Sequence, residues 1–418
     1  MFCGSCMHDN ALAKSLSDVG LDVQLVPTYT PIRTDEADVS VDQVFFGGIN
    51  VYLQQKIPLM RWLPTFVDRF LDNPALIRRV TSRSMDMAPK ELGRLAVSML
   101  KGTDGNQRKE VKRLCRWLKE HAKPDAVVFS NALIGGCIPE IKRQLGVPIL
   151  VTLQGDDVFL DSLPDNYRQQ CIDAIKRLVA DVDGFVVHSE FFRDYMSEYF
   201  SIPVSKVHVT PLGIDTSEFP AVERQPESDG LTLGYLARIA PEKGLHQLVD
   251  AFVQLKQADT MGGKLKLKVA GWLGPQDEAY ANENFDKIRV AGFESNFEYL
   301  GAIERVEKLQ FLSSIDVMSV PTTFLEPKGL YALEAMACGV PVVQPNHGCF
   351  PELLELTGGG LLFDAANHAD YVKTLSRLLN DSELRGELGG AGRAAVVQNR
   401  NAEAMGMATA DVIRKFAR

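Results

Sequence analysis

Long apolar runs are missing from this sequence. None reaches the roughly 18 to 20 residues that a membrane-spanning helix needs. The first twenty residues carry Asp9, Lys14 and Asp18 where a secretory signal would carry an apolar stretch, so the expected location is the cytoplasm. Cysteine is too scattered for a disulfide framework: the seven residues, Cys3, Cys6, Cys115, Cys137, Cys171, Cys338 and Cys349, are an odd number spread over a long chain and fit reduced thiols. Only Cys3 and Cys6 form a C-x-x-C, with no second pair or histidine at zinc-ligand spacing, and small buried thiols around a Gly4-Ser5 turn account for them. Positive charge is in deficit. Lys plus Arg number 45 against 54 Asp plus Glu, a net charge of -9, so the field of the whole molecule repels nucleic acid and anionic lipid. No nucleic-acid partner is expected, and any polyanion must be met by a local patch.

What is present is an ordinary globular composition, 45% hydrophobic and 24% charged over 418 residues, long enough for two domains. Short β-branched or apolar runs alternate with helical patterns, the mark of an α/β chain with parallel sheets. In the first half, strands are expected at Val23 to Pro27, Val44 to Phe46, Val51 to Gln54, Ala126 to Ser130, Ile149 to Leu153, Phe185 to His188 and Val207 to Thr210. The polar, turn-rich stretch Gly213 to Gly230 reads as a linker. Strands then resume at Leu231 to Leu236, Leu265 to Ala270, Phe297 to Leu300, Val317 to Pro321, Val342 to Gln344 and Gly360 to Phe363. The expected division is 1–213, a linker 214–230, a second domain 231–400, and a terminal helix 401–418.

Lys56 to Arg83 stands apart, with six basic residues against two acidic ones and apolar positions (Trp62, Leu63, Phe66, Val67, Phe70, Leu71) at helical spacing. It reads as a core-facing helix with a solvated basic face, or as a peripheral membrane or anionic-acceptor surface.

Two segments can carry chemistry. Glu326-Pro327-Lys328-Gly329-Leu330 follows a strand and runs into a helix reaching Glu334. A glycine at a loop-to-helix junction lets backbone N–H groups approach an anion, and the helix N-terminus adds about half a positive charge, so phosphate is the natural ligand. Glu334, one turn inside, can accept two vicinal hydroxyls such as those of a ribose, and Glu326 on the loop can reach a sugar. Glutamates eight apart on a helix are also common without function. The second segment places Arg238 and Lys243-Gly244 just past a strand end, where open parallel sheets put their ligands. There they can neutralise a diphosphate, or serve as solvated surface charges.

The order, spacing and wording of these two segments resemble the retaining glycosyltransferases of family 4, which have the GT-B fold: two Rossmann-like doubly wound domains facing across a cleft. The likeness covers nearly the whole chain. Val209-Thr210-Pro211-Leu212-Gly213-Ile214-Asp215 is similar to the family's interdomain segment, Ala270-Gly271-Trp272 and Leu300-Gly301 to its later strand ends, and Thr357-Gly358-Gly359-Gly360-Leu361-Leu362 to its closing glycine-rich strand. Gly47-Gly48-Ile49-Asn50-Val51-Tyr52-Leu53 resembles a segment of the glycogen and starch synthase branch.

The resemblance implies transfer of a sugar from a nucleoside diphosphate sugar to a hydroxyl acceptor, glycan or lipid-linked, with retention at the anomeric carbon. It implies no metal and no cofactor beyond the nucleotide sugar. Arg238 and Lys243 would bind the diphosphate and stabilise its departure, Glu326 would hold a hydroxyl of the donor sugar, and Glu334 the ribose. Gly329, Leu330, Gly301 and the amino-terminal glycine loop from Gly4 would line the donor. Asp9, Gln154 and Asp156 would touch acceptor or sugar, although Asp9 reads equally as an acidic residue favoured at a helix N-terminus. The chain departs from the family's pattern at Lys328, which replaces an apolar or aromatic residue, and at Gln154, which stands where a His often precedes Gly. Rival readings are a nucleotide-sugar epimerase of the same fold and a catalytically silent nucleotide-sugar-binding protein.

Asp181-Val182-Asp183 has the spelling of a metal-binding D-x-D but sits between a helix and a strand, and Ser189 reads as a helix cap rather than a nucleophile. A doubly wound domain feeds its glycine loop from a central strand, yet Met1-Phe2-Cys3 leads straight into Gly4. The expectation is a start upstream of Met1 with an apolar strand ahead of the loop, or a shift of Val23 to Pro27 into that place.

Overall fold

The computed structural model describes residues 4–29, 31–32, 34–41, 43–57, 88–220, 230–258 and 264–417. The chain divides into two compact units, one of residues 2–210 with 405–418 and one of residues 211–404. The helix Ala402–Phe416 therefore belongs, from Met405 onward, to the amino-terminal unit, where Met405 and Ala410 pack with Ala11, Leu12 and Leu16.

The described sheet of the amino-terminal unit has four parallel strands in sequential order: β1 (Val127–Phe129), β2 (Ile149–Thr152), β3 (Gly184–Val187) and β4 (Val207–Val209). Every residue of β2 and β3 is buried, because helices cover both faces of a parallel sheet, and this is why these runs read as continuous apolar segments. Asp183 accepts the Ile149 N–H (2.7 Å) and pairs with Lys142, so it fastens β3 to β2. Ser189 caps the helix Glu190–Phe200 by accepting the Phe192 N–H at 3.1 Å.

Three expectations fail in this unit. Val51 to Gln54 is not a strand but part of the helix Gly48–Lys56. Asn50 and Gln54, four apart and so on one helical face, are fully buried and both donate to Glu110 Oε1, at 2.9 and 3.2 Å. The expected strands at Val23 to Pro27 and Val44 to Phe46 reduce to isolated bridges, Leu25 to Ser40 and Thr28 to Phe45. The amino-terminal glycine loop is a helix, Gly4–Asp18, whose Ala11, Leu12, Ala13 and Leu16 bury one stripe; Asp9 lies in its second turn rather than on a loop. Of the basic stretch Lys56 to Arg83, residues 58–83 lie outside the described residues, as does Cys3. No helix among the described residues is long and apolar enough to cross a membrane.

Among its described residues the second unit holds six parallel strands: β5 (Thr232–Leu236), β6 (Lys266–Ala270), β7 (Phe297–Tyr299), β8 (Val317–Met318), β9 (Val342–Pro345) and β10 (Gly360–Phe363). Their order is β10-β9-β8-β5-β6-β7, so the chain winds outward from β5 to one edge and then from β8 to the other. The connections after β5 and β8 leave in opposite directions. A crevice must open at their carboxyl ends, and that is where a doubly wound sheet binds its ligand.

Candidate active site

The loops after β5 and β8 deliver most of the predicted donor residues. β5 ends at Leu236 and is followed by Arg238 and by a single turn, Pro241–Lys243. Gly244 then enters the helix Leu245–Gln257 at φ 71°, in the left-handed region. A Cβ there would lie 1.7 Å from the Pro321 carbonyl oxygen, so only glycine lets this turn press against the end of the β8 segment. The two loops are joined by the Thr323 N–H, which donates to the Glu242 carbonyl at 2.9 Å.

This junction sets Lys243 on Glu326, 83 residues away in sequence: Lys243 Nζ donates to Glu326 Oε2 at 2.7 Å. The ammonium also sits 4.6 Å from the Phe324 ring centroid and 5.6 Å from that of Tyr331. Burial pushes the Glu326 carboxyl up. The charge and hydrogen bond of Lys243, the charge of Lys328 and the Gly329 N–H outweigh that effect and hold it below the usual carboxylate range. Gly329, at φ 70°, opens the helix Leu330–Ala337, whose first amides face the same loop end.

Arg238 is held between two acids, paired with Glu242 and 3.7 Å from Asp277. Its side chain is a third exposed. Glu334 is buried on the helix and accepts from Lys308 Nζ at 2.6 Å. Lys308, on the helix Arg305–Ser313, escaped sequence reading because its spacing is that of any amphipathic helix; what marks it is burial beside Glu334. Gly301 follows β7 at φ 70° with open space around it, and its carbonyl accepts the Gly271 N–H at 2.8 Å.

The remaining predicted residues form a separate cluster in the amino-terminal unit. Gln154 Nε2 donates to Asp9 Oδ1 (2.8 Å) and to the Ser130 carbonyl (3.0 Å). The Asp156 carboxylate accepts the Ala132 N–H at 2.6 Å and the Gln154 N–H at 3.1 Å. Gly4 begins its helix exposed and supplies no loop. Asp157, which sequence reading passed over, is the perturbed acid of this cluster: burial and then the adjacent Asp156 charge push its carboxyl up to about 7.

Residues 218–395 match the family described as glycosyl transferases group 1, and residues 94–218 match glycosyltransferase family 4. The chain belongs to this family. It is 28% identical to the D-inositol 3-phosphate glycosyltransferase of Stackebrandtia nassauensis over 51% of this chain and 50% of that enzyme, so the match spans about half of that relative's length. It is 27% identical to the glycogen synthase of Mycobacterium tuberculosis over 69% of this chain and 68% of the synthase. Among solved structures it resembles the sucrose-phosphate synthase of Thermosynechococcus elongatus, at a TM-score of 0.70 and 18% identity over 97% of this chain and 91% of that one. Anabaena HepE, solved with UDP and glucose, aligns at a TM-score of 0.61 and 18% identity over 73% of this chain and 81% of that one. These likenesses identify the fold of this family 4 glycosyltransferase as GT-B.

Proposed function

We propose that the protein transfers a sugar from a nucleoside diphosphate sugar to a hydroxyl acceptor with retention at the anomeric carbon, without a metal ion. The observation that carries this reading is the convergence of Lys243, Glu326 and the glycine-headed helix Leu330–Ala337 at the β5/β8 switch point. As the bond from the anomeric carbon to the diphosphate breaks, its electron pair moves onto the phosphate oxygen. Lys243, Arg238 and the helix amides offer fixed positive charge to that oxygen, and a fixed charge in a partly desolvated site needs no reorganisation at the moment of reaction. Glu326, kept ionised by Lys243, is an acceptor for a sugar hydroxyl, and Glu334 one for the ribose. The reading requires no protein nucleophile.

A panel of nucleotide sugars, starting with UDP-glucose because Anabaena HepE was solved with it, separates the alternatives. A transferase releases nucleoside diphosphate. An epimerase isomerises the donor without releasing it, and a silent binder does neither. Glu334→Gln is expected to raise the dissociation constant for the nucleoside diphosphate about tenfold, the loss of one charge-assisted hydrogen bond. The variant also removes the negative charge opposite the buried Lys308 ammonium, so the measurement is a titration of folded protein. Lower stability with an unchanged dissociation constant would leave Glu334 as the partner of Lys308 alone.

A further inference from the structure

The loop after β9 carries a histidine that the reading above does not use. His347 Nε2 lies 3.0 Å from the Thr322 carbonyl oxygen. A carbonyl can only accept, so Nε2 bears the proton and donates. Burial, the largest influence on this imidazole, holds it below the usual histidine range despite the Thr322 carbonyl and the Glu326 charge, which keeps the ring neutral. In a neutral ring protonated at Nε2, Nδ1 is a bare acceptor. It is buried and meets no donor from the protein. Thr322, whose carbonyl meets Nε2, is 2% exposed at the end of the β8 segment, and its hydroxyl is also buried without a partner. Buried polar atoms are rarely left unpaired, and two of them at the carboxyl ends of adjacent strands mark a place where something polar docks.

The backbone says which part of a donor that is. The His347 loop is fastened to Glu326: the Cys349 N–H donates to the Glu326 carbonyl at 2.9 Å. Gly348, at φ 62°, approaches so closely that a Cβ would fall 2.6 Å from the Glu326 nitrogen. Glu334, the nucleoside end of the proposed site, lies a full turn inside the helix Leu330–Ala337, where Lys308 of the helix Arg305–Ser313 donates to it.

We infer that His347 is a specificity-determining residue of the donor site, its Nδ1 accepting a hydroxyl of the glycosyl group while Nε2–H, bound to the Thr322 carbonyl, fixes the ring. The inference rests on the nucleotide-sugar reading above. The Thr322 hydroxyl, which can donate or accept, supplies the adjoining contact.

The test is calorimetric titration of the whole protein and its His347→Gln and His347→Ala variants with UDP-glucose, GDP-mannose and ADP-glucose, each beside UDP, GDP and ADP alone. A glutamine amide can keep the donation to the Thr322 carbonyl but offers no acceptor where Nδ1 stood. For the nucleotide sugar that the parent protein binds, His347→Gln should weaken affinity about tenfold, nearly as much as His347→Ala. Affinity for the matching free nucleoside diphosphate should stay within about twofold, which also shows that the site remains folded. Undiminished nucleotide-sugar affinity in His347→Gln overturns the inference. So does equal weakening of nucleotide sugar and free nucleotide, the mark of a ring that only holds its loop. If the parent binds none of the six probes, the reading beneath the inference falls with it, and that failure is evident before any variant is compared.

Discussion

Lys243→Ala is expected to lower turnover by about two to three orders of magnitude while changing the donor KM far less, because charge on the departing phosphate is greatest in the transition state. Two consequences of the geometry set the size of the effect. The Lys243 side chain is less than a fifth exposed and its ammonium lies over the Phe324 and Tyr331 rings, so water is a poor substitute for it. Its removal also leaves the buried Glu326 carboxylate without its 2.7 Å partner, with only the Lys328 charge and the Gly329 N–H left to offset its burial. Arg238→Ala should cost less, since Arg238 already shares its charge with Glu242 and Asp277. Steady-state kinetics of both variants check the order. A Lys243→Ala enzyme that differs only in KM would reduce the residue to a binding contact.

Gly244→Ala should be among the most damaging small substitutions near the site. The added methyl meets the Pro321 carbonyl oxygen at 1.7 Å, and alanine at φ 71° carries its own backbone cost. Together these amount to roughly 2 to 4 kcal/mol of stability. Gly301→Ala is the control. Its φ of 70° is nearly the same, yet nothing lies within 4 Å of the new methyl, so only the backbone term, about 1 kcal/mol, remains. Thermal denaturation that ranks the two variants the other way would show that the β5 and β8 loops are not locked at Gly244. Because the same contact sets Lys243 against Glu326, Gly244→Ala should also lose activity at temperatures where it is still folded.

The second unit was the more legible of the two because its signals are local. The inner strands β5, β8 and β9 are buried on both faces, and all six strands agree with the sequence expectation to within two or three residues. Its donor residues sit directly after strand ends, where spacing alone is informative. What sequence could not show is pairing across distance. Val51-Tyr52-Leu53 has the look of a strand, and only the burial of Asn50 and Gln54 against Glu110, 60 and 56 residues on, makes it a helix. The amino-terminal glycine segment was read as a loop by resemblance, whereas the stripe of Ala11, Leu12 and Leu16 carries the helix back to Gly4. The partnership of Lys308 with Glu334 and the acceptor face of His347 are likewise tertiary facts.

The central claim is that the β5/β8 switch point binds a nucleoside diphosphate through protein cations and helix amides. Its most direct measurement is a titration of UDP, GDP and ADP into the parent protein and Lys243→Ala, with EDTA in excess throughout. The account predicts that one of the three nucleotides binds the parent protein under EDTA and binds Lys243→Ala about tenfold more weakly. Binding that appears only when magnesium is restored, or binding that is indifferent to the loss of Lys243, would contradict it.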